Sequence, residues 1–247
     1  MPFDLDYVRK RLPGRRLDWY PIVNSTMTLA ASLARDGCPG GSIVGADAQV
    51  AGIGRHGHTW HSEAETGLYV SIVLRLPLEP AVQPVAMLAL GLATQEAIAE
   101  VSGLRTDLRW PNDVLIDGKK CGGILAQIED GAIVAGIGVN VNQTTFPRDI
   151  EHLATSLRLA GKREVSREDL LAALVQSVER GCENLSEHGP AMVLEKFTRA
   201  SSYAEGQRVR VGNIEGVTRG LDASGFLVVR EDSGKETTIL AGGVRPL

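Results

Sequence analysis

The sequence has few cysteines, few aromatic residues and only a small excess of charge. Its 247 residues include 3 cysteines and 4% aromatic residues, and the formal net charge is −4 at pH 7. An odd number of widely separated cysteines argues against a disulfide framework and a zinc knuckle, and is typical of a reducing cytosol. A slightly acidic chain also lacks the basic face of nucleic-acid-binding proteins, so we expect no nucleic-acid partner.

Long apolar runs are also missing from the sequence. We expect no membrane span, because no window reaches the roughly 18 apolar residues that a span requires. Residues 1–16 are polar and charged, without the apolar core of a secretory signal. Apolar residues nevertheless make up 43% of the chain, which is enough for a substantial core. These features predict a folded, cytoplasmic protein that has no membrane partner.

The order of helical and extended patterns predicts a mixed α/β body over residues 1–200 and a small β domain over residues 201–247. Strand patterns at 42–48 and 67–76 precede an Ala- and Leu-rich helical pattern at 82–102. The other predicted elements are a short helix closed by Gly37, strands at 106–109 and 113–116, a hairpin of 121–128 and 132–142 that turns at Asp130-Gly131, and helices at 166–187 and 191–199. The last forty residues are short apolar runs between turns, a pattern typical of a small barrel.

The strongest functional signal is the glycine-rich loop of residues 52–60, which reads Gly-Ile-Gly-Arg-His-Gly-His-Thr-Trp. Its glycines leave backbone N–H groups open to close approach by a ligand, because no Cβ stands in the way. Arg55 adds a permanent cation, and Trp60 adds a large flat surface. The loop therefore suits an anionic ligand that carries an aromatic ring, such as a nucleotide.

Three familiar kinds of site do not fit this part of the sequence. The loop matches G-x-G-x-x-G, but a dinucleotide fingerprint requires a helix at the third glycine, and residues 58–67 have no helical period. No glycine-lysine pair has the upstream glycine and the following Ser or Thr of a Walker phosphate loop. The nearby histidines His56, His58 and His61 lack a fixed geometry and a neighbouring cysteine, so we expect no metal site.

Four further clusters combine polar side chains with glycine or a turn signal. Residues 24–26, Asn-Ser-Thr, either cap a helix or offer hydroxyls to a small polar group. Residues 109–113, Arg-Trp-Pro-Asn-Asp, form a turn with a buried tryptophan or place Asn and Asp beside a phosphate or metal. Lys119 and Lys120 lie on a solvated hairpin tip or face a ligand beside the glycines that follow them. The glycines and asparagines of residues 136–142 share one face, which is either exposed or ligand-binding.

In this order and at these spacings, the clusters resemble the biotin–protein ligase family, and the resemblance runs from about Trp19 to the C-terminus. It resides in Ser25-Thr26, Gln49 with the loop 52–60, Tyr69-Val70-Ser71, Trp110-Pro111-Asn112-Asp113, Lys120-x-x-Gly123-Ile124-Leu125, Gly138-x-Asn140 and Gly216-x-x-x-Gly220-x-Asp222-x-x-Gly225. The resemblance implies an α+β fold. In it, a mixed β-sheet is flanked by helices, as in class II aminoacyl-tRNA synthetases, and is followed by a C-terminal SH3-like β-barrel.

The resemblance also implies a two-step ligase reaction. The carboxylate of biotin attacks the α-phosphate of ATP, with Mg²⁺ on the phosphates, to give biotinyl-5′-AMP and pyrophosphate. The ε-amine of a lysine on a biotin carboxyl carrier protein, or on the biotinyl domain of a carboxylase, then attacks the acyl carbon and expels AMP. Only about eighteen residues precede the body, so we expect the short biotin–[acetyl-CoA-carboxylase] ligase without a DNA-binding domain. Whether it forms a homodimer is left open.

The family's site residues carry over onto matching positions of this sequence. By resemblance, Lys120 and Arg55 are catalytic, because two cations offset the repulsion between carboxylate and triphosphate. The implied biotin-binding residues are Ser25, Thr26, Gln49, Gly52, Arg55, Lys120, Gly122 and Gly123. The implied ATP- and adenylate-binding residues are Gly54, Gly57, Trp60, Arg109, Asn112, Asp113 and Asn140. The sequence departs from the family at Ile53, His56 and His58, where basic residues are common, and at Arg109, where lysine is usual.

Two other functions fit the same residues less well. A lipoate–protein ligase or octanoyl transferase shares the fold and the carboxylate-to-lysine chemistry, but the loop 52–60 and the C-terminal domain favour biotin. A non-catalytic regulator would hold biotinyl-AMP without transferring it. The presence of Lys120 and Arg55 favours the enzyme over the regulator.

Overall fold

A computed structural model describes residues 3–77 and 82–247, and most of them surround one seven-stranded sheet. Its strands are β1 (Leu17–Val23), β2 (Ser42–Gln49), β3 (Leu68–Leu74), β4 (Asp107–Arg109), β5 (Asp113–Ile116), β6 (Lys119–Glu129) and β7 (Ala132–Val139). The helices are α1 (Leu5–Arg11), α2 (Thr26–Arg35), α3 (Gln83–Ser102), α4 (Leu157–Gly161), α5 (Arg167–His188) and α6 (Pro190–Ala200). The strand order is β1-β2-β3-β7-β6-β5-β4. Because β1 and β2 are parallel and the other pairs are antiparallel, the sheet is mixed, as predicted.

Helices cover both faces of this sheet. On one face, α2 packs its small residues against β2, β3 and β7 in a cluster that includes Ala30, Val44 and Val134. On the other face, α3 and α5 cover the strand side chains that point away from α2, such as Ile72 and Ile137. The alternation of side chains along each strand therefore divides the core into two layers. The predicted sheet flanked by helices is confirmed.

Local signals explain where several elements begin and end. The hydroxyl of Ser166 accepts a hydrogen bond from the backbone N–H of Asp169 at 3.0 Å and begins α5. Gly103 ends α3 in the left-handed conformation, with φ of 72°. Asp130 and Gly131 both have positive φ and form the turn between β6 and β7. These boundaries and this turn were predicted from the sequence and are confirmed.

Among the described residues, one helix, α3, is a candidate membrane span, although it contains no run of 18 apolar residues. It is a candidate by length and composition, with a mean hydropathy of 1.3 over an 18-residue window. In the structure, however, 67% of that window is buried within the protein. Leu88, Ala93 and Ile98 are almost fully buried. A helix that is apolar on most of its circumference is here a central core helix.

The sequence analysis missed β1, α1 and α4. Strand β1 lies at one edge of the sheet and pairs only with β2, so its outer positions do not alternate between apolar and polar residues. Pro21 in its middle is typical of an edge strand, because proline cannot donate a hydrogen bond to a neighbour. Helices α1 and α4 have 7 and 5 residues, too few to produce a clear helical period.

The C-terminal residues form a second, antiparallel sheet. Its strands are β8 (Glu205–Val211), β9 (Ile214–Leu221), β10 (Leu227–Glu231), β11 (Glu236–Ile239) and β12 (Arg245–Pro246), in the order β11-β10-β9-β8-β12. The predicted turns are confirmed, with positive φ at Gly212, Gly225 and Gly234. The structure thus shows a second antiparallel sheet, in which β11 and β12 are the end strands, and the SH3-like barrel stays a prediction.

Trp110 docks this second sheet onto the body of the protein. Its side chain is 3% exposed, and Nε1 donates a hydrogen bond to the carbonyl of Gly225 at 2.9 Å. Gly225 itself lies against α3, since a Cβ there would be 3.1 Å from Cδ1 of Leu88. The position of the C-terminal sheet relative to the large sheet is therefore fixed by a buried hydrogen bond and by apolar contacts.

We expect Trp110→Phe to lower the free energy of unfolding by about 1–3 kcal/mol, because the buried carbonyl of Gly225 loses its donor. Trp19→Phe is the matched control. Its Nε1 is also buried but has no hydrogen-bond partner within the described residues, so only packing changes there. Urea denaturation of both variants measures the difference. Equal losses in the two variants would contradict the proposed role of the Trp110 hydrogen bond.

Candidate active site

Several of the predicted clusters meet around one cleft in the large sheet, referred to here as the central cleft. It is open to solvent, with about 470 Å³ of empty space, and lies between the start of α2, the end of β2, the glycine-rich loop and strands β3, β6 and β7. The predicted site residues that line it are Thr26, Gln49, Gly54, Arg55, Trp60, Asn112, Lys120 and Gly123. Further lining residues that the sequence analysis did not assign include Met27, Ile53, Leu125 and Ile137. The cleft is therefore apolar along its walls, with a few polar groups at defined places.

One part of the central cleft is a hydrogen-bonded network of polar side chains. Oε1 of Gln49 accepts from the backbone N–H of Thr26 at 2.9 Å and from its hydroxyl at 3.2 Å. The buried hydroxyl of Ser71 donates to Oγ1 of Thr26 at 2.8 Å. The hydroxyl of Ser25 is buried and has no partner within the described residues. Such a hydroxyl beside a fixed network is suited to a hydrogen bond with a bound molecule.

The floor of the cleft is made of glycines because the indole of Trp60 lies directly on it. A Cβ at Gly138 would be 2.6 Å from Cε2 of Trp60, and a Cβ at Gly123 would be 2.9 Å from Cζ3. Gly122 does not share this position, since a Cβ there would point toward Val114 at 3.3 Å. Neighbouring residues of a strand face opposite sides of the sheet. The structure therefore places Gly123 in the cleft and Gly122 outside it.

We expect Gly138→Ala to move the indole of Trp60 out of the cleft, because its ring cannot stay 2.6 Å from a Cβ. Overpacking of this kind commonly costs about 1–3 kcal/mol of stability. The emission of Trp60, taken as the difference between each protein and its Trp60→Phe derivative, should shift to longer wavelength. Gly40→Ala is the control, because a Cβ there meets no atom closer than 3.5 Å. Unchanged Trp60 emission in Gly138→Ala would contradict this placement of the ring.

The glycine-rich loop is closed by its own backbone. The N–H of Trp60 donates to the carbonyl of Gly52 at 2.9 Å, and the N–H of Gly54 donates to the carbonyl of His58 at 2.7 Å. A Cβ at Gly52 would lie 2.6 Å from the carbonyl oxygen of Trp60, so this loop closure requires glycine. Residues 55–57 form one 3₁₀ turn, which directs Arg55 inward and leaves Gly57 exposed.

Lys120 lies at the mouth of the central cleft in a cluster of charged side chains. Its Nζ is 2.5 Å from Oδ1 of Asp113 and 5.4 Å from the centre of the Trp60 ring. Arg109 contacts the other carboxylate oxygen of Asp113, with Nη2 at 2.7 Å. Burial by itself would raise the pKa of Asp113, but the charges and hydrogen bonds of Lys120 and Arg109 outweigh it and lower that pKa. Asp113 is therefore an ionised group that holds Lys120 in place.

Arg55 lies beside Lys120 and is held by two neutral oxygens. Its Nη1 donates to Oδ1 of Asn112 at 3.3 Å and to the carbonyl of Gly242 at 3.4 Å. Asn112 is fixed in turn, because its Nδ2 donates to the carbonyl of Ile124 at 2.9 Å. Burial lowers the pKa of Arg55, partly offset by the charge of Asp113. A partly desolvated cation with neutral partners is suited to bind an anion.

A second, larger cleft adjoins the first, and is referred to here as the outer cleft. It lies between the glycine-rich loop and the C-terminal sheet and has about 1240 Å³ of empty space, part of it open to solvent. Arg55, Trp60 and Lys120 line both clefts, and Arg210 and Arg245 line the outer one. The sequence analysis missed these two arginines, since only the docking of the second sheet brings them near the loop. Four basic side chains around one opening favour a polyanionic ligand.

Six predicted site residues do not line either cleft, namely Ser25, Gly52, Gly57, Arg109, Gly122 and Asn140. Strand β7 ends at Val139, so the strand alternation that placed Asn140 beside Gly138 stops one residue earlier. Asn140 is instead buried and its Nδ2 donates to the carbonyl of Thr155 at 3.0 Å. Arg109 acts on the site only through Asp113. Among residues 3–77 and 82–247, no three His, Cys, Asp or Glu side chains gather into a metal-binding group.

The glycine-rich loop, the Trp-Pro-Asn-Asp segment and Lys120 all fall within one recognised family domain. Residues 19–144 match the model of the biotin/lipoate A/B protein ligase family. The chain belongs to this family. One relative that is similar to this chain over most of its length is the bifunctional ligase/repressor BirA of Bacillus subtilis (strain 168). That protein is 32% identical over 237 residues, which cover 92% of this chain and 73% of the relative.

Two further similarities extend to the C-terminal sheet. The biotin–[acetyl-CoA-carboxylase] ligase of Mycobacterium tuberculosis is 31% identical over 258 residues, covering 98% of this chain and 94% of that protein. The solved structure of the biotin protein ligase from Aquifex aeolicus in complex with biotin and ATP superposes with a TM-score of 0.85 at 29% identity. It covers 94% of this chain and 99% of that one. Membership of the biotin/lipoate A/B protein ligase family thus rests on both sequence and fold.

Proposed function

We propose that the protein is a biotin–protein ligase. It activates biotin with ATP to give biotinyl-5′-AMP and then transfers the biotinyl group to a lysine of a biotin carboxyl carrier protein. The observation that carries the proposal is the junction of the two clefts, where Lys120 and Arg55 face both an apolar, glycine-floored cleft and a larger basic one. The names of the relatives, and the biotin and ATP in the Aquifex aeolicus complex, support the same reaction.

The central cleft matches the chemistry of biotin. The fused rings are largely apolar and suit the walls formed by Met27, Leu125 and Trp60. The ureido group has two N–H donors and one carbonyl acceptor. The Thr26–Gln49 network and the unpaired hydroxyl of Ser25 would bind that group by hydrogen bonds. The carboxylate at the end of the valeryl chain then reaches the mouth of the cleft, where Lys120 lies.

In the first step, an oxygen of the biotin carboxylate attacks the α-phosphorus of ATP. The bond between the α-phosphorus and the bridging oxygen breaks, and pyrophosphate leaves with the electron pair. Two anions must approach each other, and Lys120 and Arg55 offset their repulsion at the point of reaction. No general base is required, because a carboxylate is already ionised at neutral pH. Asp113 acts as a positioning residue that holds the ammonium group of Lys120.

In the second step, the ε-amine of the acceptor lysine attacks the acyl carbon of biotinyl-5′-AMP. The bond between the acyl carbon and the phosphate oxygen breaks, AMP leaves, and the amide forms with loss of a proton from the amine. The outer cleft gives the acceptor access to the acyl carbon beside Lys120. The loop of residues 52–60, which lines both clefts, would cover the mixed anhydride and shield it from water.

Magnesium fits this site as part of the substrate MgATP. Asp113 is the carboxylate that lines the outer cleft, and Lys120 and Arg109 already occupy its two oxygens. The described residues contain no cluster of acidic or histidine side chains for a resident ion. The phosphates would therefore carry the metal, which lowers their charge, and the protein supplies Lys120 and Arg55.

Several finer features follow from the proposed function. We assign residues 1–200 to a catalytic domain and residues 201–247 to an SH3-like domain. The acceptor would be a biotin carboxyl carrier protein or the biotinyl domain of a carboxylase, and the compartment the cytoplasm, where its three buried thiols stay reduced. A slightly acidic chain of this kind is proposed to act without nucleic acid, as a monomer or as a homodimer.

Pyrophosphate–ATP exchange by the purified protein tests the proposed function. We expect exchange with biotin and none with lipoate or octanoate. Exchange with lipoate or octanoate instead would assign the protein to the lipoate branch of its family. Tight binding of biotin without any exchange would favour a non-catalytic regulator. The assay reports the first step alone, so it does not require the acceptor protein.

A further inference from the structure

The guanidinium of Arg55 is held along one edge and open along the other. Both hydrogen bonds described for it, to Oδ1 of Asn112 and to the carbonyl of Gly242, come from Nη1. Within the described residues, Nε and Nη2 have no hydrogen-bond partner. A guanidinium carries five N–H donors in a rigid fork, and the edge formed by Nε and Nη2 binds an anion through two parallel hydrogen bonds. The two anchors on Nη1 therefore decide where that open edge points.

The Gly242 anchor comes from the C-terminal sheet, far from Arg55 in sequence. Gly242 lies between β11 and β12 and has φ of 135°, a conformation that residues with a Cβ rarely adopt. A Cβ at Gly242 would also lie 2.7 Å from Cγ1 of the buried Val211. The sheet that carries it is docked on the body through the Trp110–Gly225 hydrogen bond. The carbonyl of Gly242 thus reaches Arg55 from a fixed position.

A neutral carbonyl is a suitable anchor for this particular arginine. A carboxylate in the same place would orient the guanidinium but would also neutralise it and compete with the substrate anion. Asn112 and Gly242 orient Nη1 without any charge. Burial lowers the pKa of Arg55, so the group is partly desolvated and gains from well-placed acceptors.

We propose that the backbone carbonyl of Gly242 is a positioning group for Arg55, through which the C-terminal sheet orients the arginine that binds the reacting anions. With Asn112 it turns the open Nε–Nη2 edge toward the place where the biotin carboxylate meets the α-phosphate. This inference rests on the proposed ligase function. It gives the C-terminal sheet a specific part in adenylation, because removing one anchor misdirects Arg55 while leaving its charge in place.

Gly242→Ala and Gly234→Ala form a matched pair for testing this proposal. The first substitution strains the backbone and displaces the carbonyl that contacts Arg55. The second adds the same methyl group at the turn between β10 and β11, where φ is also positive at 86° but a Cβ meets nothing within 4 Å and the residue lines neither cleft. We expect kcat/KM for biotin in pyrophosphate exchange to fall about tenfold or more in Gly242→Ala. It should stay within about twofold of wild type in Gly234→Ala, because that turn contacts neither Arg55 nor the clefts.

A double-mutant cycle separates positioning of Arg55 from a general structural role. In an Arg55→Ala background, Gly242→Ala should cause no further loss of exchange, because its effect passes through Arg55. Equal proportional losses with and without Arg55 would overturn the proposal. Thermal unfolding of each variant confirms that it is folded. Should Gly242→Ala fail to fold, Val211→Leu replaces it, because a larger side chain at position 211 also displaces Gly242. Its effect on exchange is measured with and without Arg55→Ala, and Val211→Ala is its control.

The outcomes distinguish this inference from the proposed function. If the wild-type protein shows no biotin-dependent exchange, the proposed function is wrong, and the double-mutant cycle cannot be measured because there is no exchange activity to compare. If the wild type is active and Gly242→Ala is as active as Gly234→Ala, only the positioning role of Gly242 is overturned. A loss confined to Gly242→Ala that disappears in the Arg55→Ala background supports both.

Discussion

We expect Lys120→Ala to slow biotin-dependent pyrophosphate exchange by about 10²–10³-fold, the usual effect of removing a group that stabilises developing charge in a transition state. The Nζ of Lys120 is the cation at the junction of the two clefts, 2.5 Å from Asp113 and facing the Trp60 ring. Without it, the carboxylate and the α-phosphate approach each other with Arg55 as the nearest remaining cation. The change is measured in kcat of exchange at saturating biotin and ATP.

Lys119→Ala is the matched control for that prediction. Lys119 is the preceding residue in β6, and its side chain is exposed at the hairpin, whereas that of Lys120 turns inward. Because neighbouring strand residues face opposite sides, Lys119→Ala removes the same charge without touching the cleft. Its exchange rate should stay close to wild type. Similar losses from both substitutions would mean that net charge, rather than the placement of Lys120, supports the reaction.

We expect Asp113→Asn to lower the free energy of unfolding by about 3 kcal/mol at pH 7, because it leaves Lys120 and Arg109 together without their counter-ion. Asp113 is a suitable test, since its side chain is only 16% exposed and both its oxygens are ion-paired. The variant should also lose adenylation activity, because the ammonium of Lys120 is no longer held at the mouth of the cleft.

The pH dependence of this loss has a definite sign. The pKa of Asp113 is lowered in the folded protein, so the folded state favours the ionised form. Its stabilisation is therefore fully present above the unfolded pKa of about 3.9 and is lost as the pH falls through the lower folded value. Urea denaturation should show a constant difference between wild type and Asp113→Asn from pH 5 to 7, and a smaller one below pH 4.

Asp232→Asn serves as the control for Asp113→Asn. Asp232 also forms a two-contact ion pair, with Arg208 at 2.9 and 2.7 Å, but its side chain is 72% exposed. Solvent screens an exposed pair, so its loss should have little effect on stability. If Asp232→Asn were as destabilising as Asp113→Asn, burial of the charged cluster would not explain the effect.

The parts of the site that could be predicted from sequence are those set by local chemistry. The loop of residues 52–60 can be recognised from its glycines. In the structure, a Cβ at Gly52 or Gly54 would come within 3 Å of a backbone carbonyl oxygen of the same loop, so both positions require glycine. The caps and turns around α5 and the β6–β7 hairpin were predicted because they depend on neighbouring residues only. Lys120 was singled out over Lys119 by resemblance, and the pleat of β6 places it in the cleft.

The parts that could not be predicted depend on strand register. Asp113 pairs across the sheet with Gly123, and a register shift between Val114 and Leu115 brings Lys120 opposite Leu115. This irregularity places Lys120 on the same face as Asp113, where the two side chains form an ion pair. From the sequence, Asp113 was predicted to contact the adenylate directly. Asn140 is buried with its Nδ2 on the carbonyl of Thr155 and lines neither cleft, so its contact with the adenylate stays a prediction.

Contacts between the two sheets were also beyond the sequence analysis. Arg210, Gly242 and Arg245 lie in segments whose sequence predicts only a small β domain. They reach the site because Trp110 binds the carbonyl of Gly225, a pairing that no local pattern indicates. Trp110 and Gly225 are 115 residues apart, and a periodic sequence pattern reports only on residues that are neighbours in the chain. Assigning functional residues to the C-terminal domain therefore required the structure.

Mass spectrometry of an acceptor domain tests the proposed two-step ligase reaction most directly. An unmodified biotin carboxyl carrier domain is incubated with the protein, biotin and MgATP, and its mass is compared with that of a carrier whose acceptor lysine is changed to arginine. We expect one biotinyl group on the lysine-containing carrier, none on the arginine variant, and almost none with Lys120→Ala. An unmodified carrier in the presence of active wild-type adenylation, or a lipoyl group added in preference to biotin, would contradict the assignment.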